Sequence, residues 1–341
     1  MEPLVAIVIL NWNGKHYLEQ FLPSVVASTY SNIKIIIADN ASTDDSISFL
    51  RSSYPQIEII KNDQNYGFAK GYNVALKNVV ADYFILLNSD VEVTPGWIEP
   101  IITLMASDKN IAACQPKMIS YNDRNSFEYA GACGGWLDGY GYPFCRGRIF
   151  EVVEKDVGQY DDVQQVFWAT GAALCVRASA FNEARGFDDS FFAHQEEIDL
   201  CWRLQLLGYS IFVQPTSVVY HVGGGTLPMG NRRKVYLNFR NNLMMMAKNL
   251  PRSESYWKIP FRMGLDVIAA YKNLFAGEVA AFSAIARAHL SFYKWLFSGK
   301  RIRNEHASNK VNLPGRWGGL IIWSYYIEKK KTFSTILVNK K

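Results

Sequence analysis

Residues 4–10 (LVAIVIL) and 33–38 (IKIIIA) are short, β-branched, nearly continuous apolar runs, and residues 57–60 and 83–87 repeat the pattern after polar intervals. Runs of this kind belong to strands buried on both faces. Between them, residues 17–27 and 45–52 have helical character, the second opened by Ser42 or Asp44 as a cap. Strand and helix therefore alternate, which predicts a mostly parallel, Rossmann-like sheet flanked by helices over about the first 110 residues, the α/β class. Ligands of such sheets bind beyond the carboxyl ends of the strands. Here that edge gathers residues 11–13, 39–43, 62–67 and 88–90.

From about 112 to 165 the pattern changes: Gly131, Gly134, Gly135, Gly139 and Gly141 are interleaved with aromatic residues, which predicts loops and short strands around an acceptor cleft. Residues 166–176 return to strand character, 198–207 form an amphipathic helix closed by Gly208, and 209–215 form another strand. After His221 a GGGT turn leads into a helix over 232–249. The remainder alternates amphipathic segments, such as 280–297, with basic patches at 300–303 and 329–331, and carries Trp257, Trp295, Trp317 and Trp323. The chain thus divides into residues 1–231, with halves 1–110 and 111–231, and a basic helical extension over 232–341.

With 49% hydrophobic and 20% charged residues among 341, the composition is that of a folded chain. The best candidate for a membrane span, 264–286, is interrupted by Asp266, Lys272 and Glu278. The N-terminus has no basic leader ahead of its apolar run and reads as a first strand, so the chain is expected in the cytoplasm. Five cysteines without a C-x-x-C pair argue against a disulfide framework and a zinc site. The net charge of +5 hides an asymmetry. Residues 1–231 carry 15 Lys and Arg against 26 Asp and Glu, whereas 232–341 carry 21 against 5. The first part suits a metal or a cationic transition state, and the second an anionic surface such as membrane phospholipid. Nucleic acid is not expected, since the basic part has no recognisable reading motif.

Three segments can carry chemistry. In IIIADNASTDDS a buried strand ends in Asp39, whose carboxylate can accept hydrogen bonds from the edge of a nucleobase. In YFILLNSDVEV a strand ends at Asn88-Ser89-Asp90, where a carboxylate can hold magnesium or manganese shared with substrate phosphates. In GFDDSFFAHQEEIDLCWRLQLLGY, Glu196, Glu197 and Asp199 crowd a helix N-terminus whose dipole favours negative charge, and one of them can act as a general base. Asp199 shares a face with Glu196 while Glu197 points elsewhere, so the three do not share one role. His221, after a strand and before three glycines, can offer an imidazole to a metal or a diphosphate. His16, His289 and His306 read as surface or packing residues, and no G-x-G-x-x-G follows the first strand.

In order along the chain, VAIVILNWNG, ADNASTDDS, NYGFAKGYN, LLNSDVEV, ATGAALCVR, FFAHQEEIDLCWRLQLLGY and HVGGGT resemble the family 2 glycosyltransferases, especially the bacterial rhamnosyltransferase-like branch, over about residues 4–245. The resemblance implies a GT-A fold, a nucleotide-sugar donor (dTDP- or UDP-linked) bound across the first half, a glycan or lipid-linked oligosaccharide acceptor across the second, and inverting transfer. It implies that Asp39 contacts a pyrimidine base, that Asn11 and Asn13 lie near the nucleotide, and that Asn65, Gly67, Lys70 and Asn73 wrap it. Asp90 matches the last aspartate of a metal-binding D-x-D motif whose first position is Asn88 here, and His221 matches a histidine that completes the metal site in several relatives. Glu196-Glu197 stands where the family has Glu-Asp, making Glu197 the first choice for the base and Glu196 the second. Gly171 matches a turn where acceptor or sugar approaches the backbone. The same resemblance, with its Asn88 and Glu197 departures, also admits a catalytically weak nucleotide-sugar-binding protein. The basic extension suits docking on the inner face of the membrane.

Overall fold

The computed structural model describes residues 2–223, 231–298, 304, 307 and 313–337. The GGGT turn beyond Gly223, the basic patch at 300–303 and His306 lie outside the described residues. The first half is β1 (Val5–Asn11), α1 (Lys15–Val26), β2 (Ile33–Asp39), α2 (Ser46–Ser53), β3 (Glu58–Lys61), α3 (Gly67–Leu76) and β4 (Tyr83–Asn88). It continues with β5 (Val91–Val93), α4 (Ile98–Ser107) and β6 (Ile111–Ser120). The second half holds β7 (Gly135–Asp138), β8 (Pro143–Cys145), β9 (Arg148–Ile149), β10 (Val152–Val153), β11 (Gln164–Gln165) and β12 (Ala173–Arg177). Next come α5 (Ala178–Glu183), α6 (Glu196–Leu207) and β13 (Ser210–His221). The C-terminal part contributes α7 (Arg232–Asn249), α8 (Arg252–Phe275), α9 (Val279–Phe297), β14 (Arg316–Trp317) and α10 (Phe333–Leu337).

The main sheet runs β11-β13-β6-β12-β4-β1-β2-β3, with β5 paired to β13. It is mostly parallel, and β12 runs against both of its neighbours. Alternate residues of β1 serve two cores: Val5, Ile7 and Ile9 face α1 and α4, and Ala6 and Val8 face the side of α3 and α6. This burial on both faces is why the run is continuously apolar. The third apolar run departs from that expectation. β3 is the edge strand, with Glu58 and Lys61 exposed. Of residues 166–176 only the last stretch is strand, and β13 extends beyond 215 to His221.

The glycine-rich stretch builds a second sheet, β10-β9-β8-β7-β14, whose last strand comes from the C-terminal part. That part is mainly helical and is joined to the rest by specific bonds. Ile321 N donates to Asp138 Oδ2 at 2.9 Å, and Phe333 N to Glu154 Oε1 at 3.1 Å. No described helix is long and apolar enough to cross a membrane. All five cysteines are buried and free.

Candidate active site

The carboxyl ends of β1 and β2 are stitched together by side chains. Asn11 donates to Asp39 Oδ1 and to Ser42 Oγ, each at 3.1 Å, and Ser42 N donates to Asp39 Oδ2 at 3.0 Å. Asn13, with φ 51°, accepts from Thr43 N at 2.7 Å. Asp39 therefore shapes the turn after β2, while each of its oxygens keeps a second lone pair. Asn65 accepts from Gly67 N at 2.9 Å. Gly67 has φ +75°, and a Cβ there would lie 2.6 Å from the Phe192 ring, so both its conformation and its neighbour require glycine. Lys70 places its ammonium 4.3 Å from the centre of the Tyr66 ring. Asn73 bonds within the protein. It donates to Phe187 O (2.8 Å) and Asp189 Oδ1 (2.7 Å) and accepts from Phe187 N (2.9 Å), so it ties α3 to the loop before α6.

Asp90 and His221, 131 residues apart, meet. The antiparallel pairing of His221 with Val91 sets the imidazole beside Asp90, with Nε2 3.2 Å from Oδ1. Asn88, half-buried at the end of β4, donates its N–H to Ala172 O at 2.9 Å. A third member of this group has no signal in the sequence. Glu128, buried in the glycine-rich stretch, brings Oε1 to 3.2 Å from His221 Nδ1, and its backbone N–H is held by Met118 O on β6. Burial opposes charge on this imidazole, but the facing Glu128 and Asp90 carboxylates overcome it and push its pKa up to about 10.

Glu196 and Glu197 open α6 at the end of a contorted loop. Phe192, His194 and Gln195 all have positive φ (65°, 70° and 73°), a cost sustained only where surrounding bonds hold it. Those bonds come largely from α7. Asn241 Nδ2 donates to the carbonyls of Phe191, Ala193 and His194 at 3.0, 2.9 and 2.8 Å, and Arg240 donates to those of Ser190 and Phe191. Asn242 reaches Gln195 Oε1 at 3.3 Å. On the far side of the loop, Phe192 O accepts from Phe68 N at 2.6 Å.

The two glutamates are met by backbone N–H groups at the start of α6. The Oε2 atoms of both are buried and lack a hydrogen-bond partner among the described residues. Burial raises both carboxyls above the ordinary range, and the Glu197 charge pushes Glu196 higher still. A Cβ at Gly171 would sit 3.6 Å from Glu197 Cβ and 3.2 Å from Phe68, so the glycine keeps the floor beside Glu197 open. Asp199 has a different environment. It is fully buried and bonded to Arg203 (2.8 Å), Lys248 (3.1 Å) and Asn249 (2.8 Å). Burial alone would raise its pKa, but the charges of Lys248 and Arg203 hold it below the usual value. His194, absent from the sequence-derived site, lies in the loop two residues before Glu196. Burial first and the Lys234 charge second lower its pKa to about 4, so it is neutral, and its Nε2 has no partner among the described residues.

Burial pushes the Cys145 thiol up, Arg148 opposes, and the charges of Glu128 and Glu197 both add to the rise.

Comparison with known proteins bears on this arrangement. The family model described as Glycosyl transferase family 2 matches residues 6–154, and that described as Glycosyl transferase family group 2 matches residues 83–298. The chain is 24% identical over 283 residues to the N-acetylglucosaminyl-diphospho-decaprenol L-rhamnosyltransferase of Mycobacterium tuberculosis, covering 78% of this chain and 90% of that one. It is 26% identical over 227 residues to the rhamnosyltransferase WbbL of Escherichia coli, covering 64% and 83%. Among solved structures, GalNAc-T7 with UDP, GalNAc and Mn²⁺ superposes with a TM-score of 0.60 at 14% identity, over 87% of this chain and 57% of that one. The mannosyltransferase PcManGT from Pyrobaculum calidifontis, in complex with GDP-Man and Mn²⁺, superposes with a TM-score of 0.53 at 14% identity, over 90% and 85%. At such identities the structural likeness is one of fold.

Proposed function

We propose, from the premise that this chain belongs to the family 2 glycosyltransferases and has the GT-A fold, that it moves a hexose, rhamnose first among candidates, from a dTDP- or UDP-sugar to a lipid-linked glycan with inversion. The observation that carries the reading is the pair of buried, unpartnered carboxylate oxygens at the start of α6. A carboxylate held above its ordinary pKa by burial is a stronger base than a solvated one, and no ion pair to Glu197 forms among the described residues. Rhamnose and the lipid-linked acceptor are supported by the names of the relatives, and a nucleotide-sugar by the contents of the neighbouring structures.

In this reaction Glu197 Oε2 takes the proton of an acceptor hydroxyl as that oxygen bonds to the anomeric carbon. The bond from that carbon to the diphosphate oxygen breaks on the opposite face, and its electron pair leaves with the nucleoside diphosphate. General-base assistance of this kind contributes ~10²–10⁴-fold. Asp39 and Asn11 receive the base and ribose end, and the turn at Gly67 closes over it. Asp90 and His221 would hold a divalent cation once the imidazolium gives up its Nε2 proton: the carboxylate oxygen and that nitrogen, 3.2 Å apart, then form the mixed donor set manganese accepts, near the ~3 Å separation of adjacent ligands on one small ion. When bound, such an ion supplies counter-charge to the departing diphosphate.

The acceptor named for the mycobacterial relative is lipid-linked, and the basic C-terminal part suits an anionic membrane; we place the enzyme on the cytoplasmic inner face. The test is incubation of the full chain with dTDP-rhamnose or a UDP-hexose, manganese and a polyprenyl-diphosphate-linked sugar. Release of nucleoside diphosphate with a lengthened acceptor is expected, and its loss in Glu197→Gln with nucleotide binding intact. Asn88, in place of the family's first acidic residue, favours a second reading as a binding protein without turnover. Nucleotide binding with no release from any donor would establish that reading instead.

A further inference from the structure

We propose that α8 and α9 present a lipid-docking face, an apolar stripe bordered by lysine and arginine that lies in the interfacial layer of an anionic membrane. The proposal deepens the membrane reading above and rests on it for the nature of the acceptor.

Along α8, Trp257, Phe261, Gly264, Ile268, Tyr271 and Phe275 recur at spacings of four and three, which puts them on one face of the helix. All are exposed, Ile268 by 67% and Phe275 by 86%. The opposite face, with Ile259, Arg262, Met263, Asp266 and Ala270, is buried against the protein. The helix is therefore apolar on two sides and covered on one. On α9, Leu290 (70% exposed), Tyr293 and Phe297 (80%) follow the same spacing. A third element joins them: Lys272 sets its ammonium 5.0 Å from the Tyr326 ring, so the exposed turn with Trp323, Tyr326 and Ile327 lies beside the C-terminal half of α8. An apolar surface of this extent marks an interaction site rather than ordinary solvent exposure.

Charge decides the occupant. Outside the buried Arg262–Asp266 pair, α8, α9 and the turn between them carry Arg252, Lys258, Lys272, Arg287 and Lys294 against Glu254 and Glu278, so pairing with a second copy brings two net positive helix pairs together, whereas anionic lipid is complementary. The side chains agree: Trp and Tyr mixed with Lys is the composition of an interfacial layer, with lysine stems lying along the apolar surface and ammonium groups at the headgroups. The buried face of α8 leads directly to the catalytic loop. Arg262 Nη1 donates to Asn242 Oδ1 at 2.6 Å, and Asn242 Nδ2 reaches Gln195, the residue before Glu196. One helix diameter, ~10 Å, separates the lipid-facing stripe from the bonds that hold the base. A docked α8 thus holds the acceptor cleft close to the surface from which a lipid-linked sugar projects.

The experiment is co-sedimentation of the full chain with vesicles of phosphatidylethanolamine and phosphatidylglycerol, with phosphatidylcholine vesicles in parallel. It compares the parent protein with the Ile268→Asp/Phe275→Asp double variant and with the milder Phe275→Ala. We expect sedimentation with anionic vesicles only, weakened by salt, and an approximately tenfold or greater loss of partitioning in the double variant. Stabilisation by nucleoside diphosphate should be unchanged in both variants, which shows the fold intact. No sedimentation of the parent, sedimentation indifferent to both substitutions, or a light-scattering dimer that the double variant splits would each overturn the proposal, the last by giving the face to a second copy. Failure of nucleotide stabilisation in the parent counts against the transferase reading alone and leaves the vesicle result to stand on its own.

Discussion

The two ends of the first turn of α6 carry acidic side chains three residues apart under opposite conditions. Glu196 and Glu197 each keep a buried Oε2 atom without a partner among the described residues and their carboxyls are raised by burial, whereas fully buried Asp199 is met by Lys248, Arg203 and Asn249 and is lowered. Desolvation acts on all three, so the sign of the shift is set by what faces each carboxylate. An acidic cluster at a helix start is therefore two devices here. One keeps two unsatisfied carboxylate oxygens, and the other joins α6 to α7 through an ion network that also reaches Asp188.

Glu197→Gln should give the largest effect, a ~10²–10⁴-fold fall in kcat with nucleotide affinity kept, while the midpoint of thermal unfolding stays level or rises because a buried charge is removed. If Glu196→Gln fell further than Glu197→Gln in the same assay, the two glutamates would exchange roles. Lys248→Met breaks the other device, leaving Asp188 and Asp199 facing each other without their cation. Denaturant unfolding should show a loss of ~3–5 kcal/mol. Glu128→Gln should weaken manganese binding about tenfold by calorimetry, with nucleotide affinity in the absence of metal unchanged, because the carboxylate that orients the His221 ring loses its charge. The smallest effect is in the pH dependence of stability. The raised glutamates bind protons more tightly folded than unfolded, so their contribution falls as pH rises above about 4.5 through their folded values. Asp199 has the reverse sign, contributing above about 3.9 and losing that contribution as pH falls through its lowered value. Unfolding curves across pH for Glu197→Gln and Asp199→Asn should therefore change slope in opposite directions, and parallel changes would refute the contrast.

The elements that were legible in the sequence are those whose burial is written locally. β1, β2 and β4 are buried enough to appear as apolar runs, and α6 announces itself by its periodicity and by Gly208, which closes it at φ 105°. β3 carries the same kind of run but occupies an edge, because nothing in Ile57–Ile60 reports which neighbours a strand acquires. Asp90 and His221 were legible through the order of motifs, and the pairing of β5 with β13 supplies the geometry. Glu128 was not, since it sits among glycines and meets His221 only through the path of the chain after β6. Arg240, Asn241 and Asn242 show the same limit: in a helix that reads as part of a basic extension, three polar residues hold the loop that leads into Glu196. An uninterrupted polar triplet ahead of the apolar run LMMMA was the available signal.

The second sheet carries one consequence for the life of the chain on the ribosome. β7 is completed by β14, and Asp138 accepts from Ile321 across 183 residues of sequence. At ~5–20 residues per second, synthesis leaves that carboxylate and the edge of β7 waiting roughly 10–40 s for their partners. The strands of the first half can pair early in translation, but the second sheet is finished only once β14 and Ile321 have emerged. A nascent chain stalled before β14 would leave an open strand edge at β7.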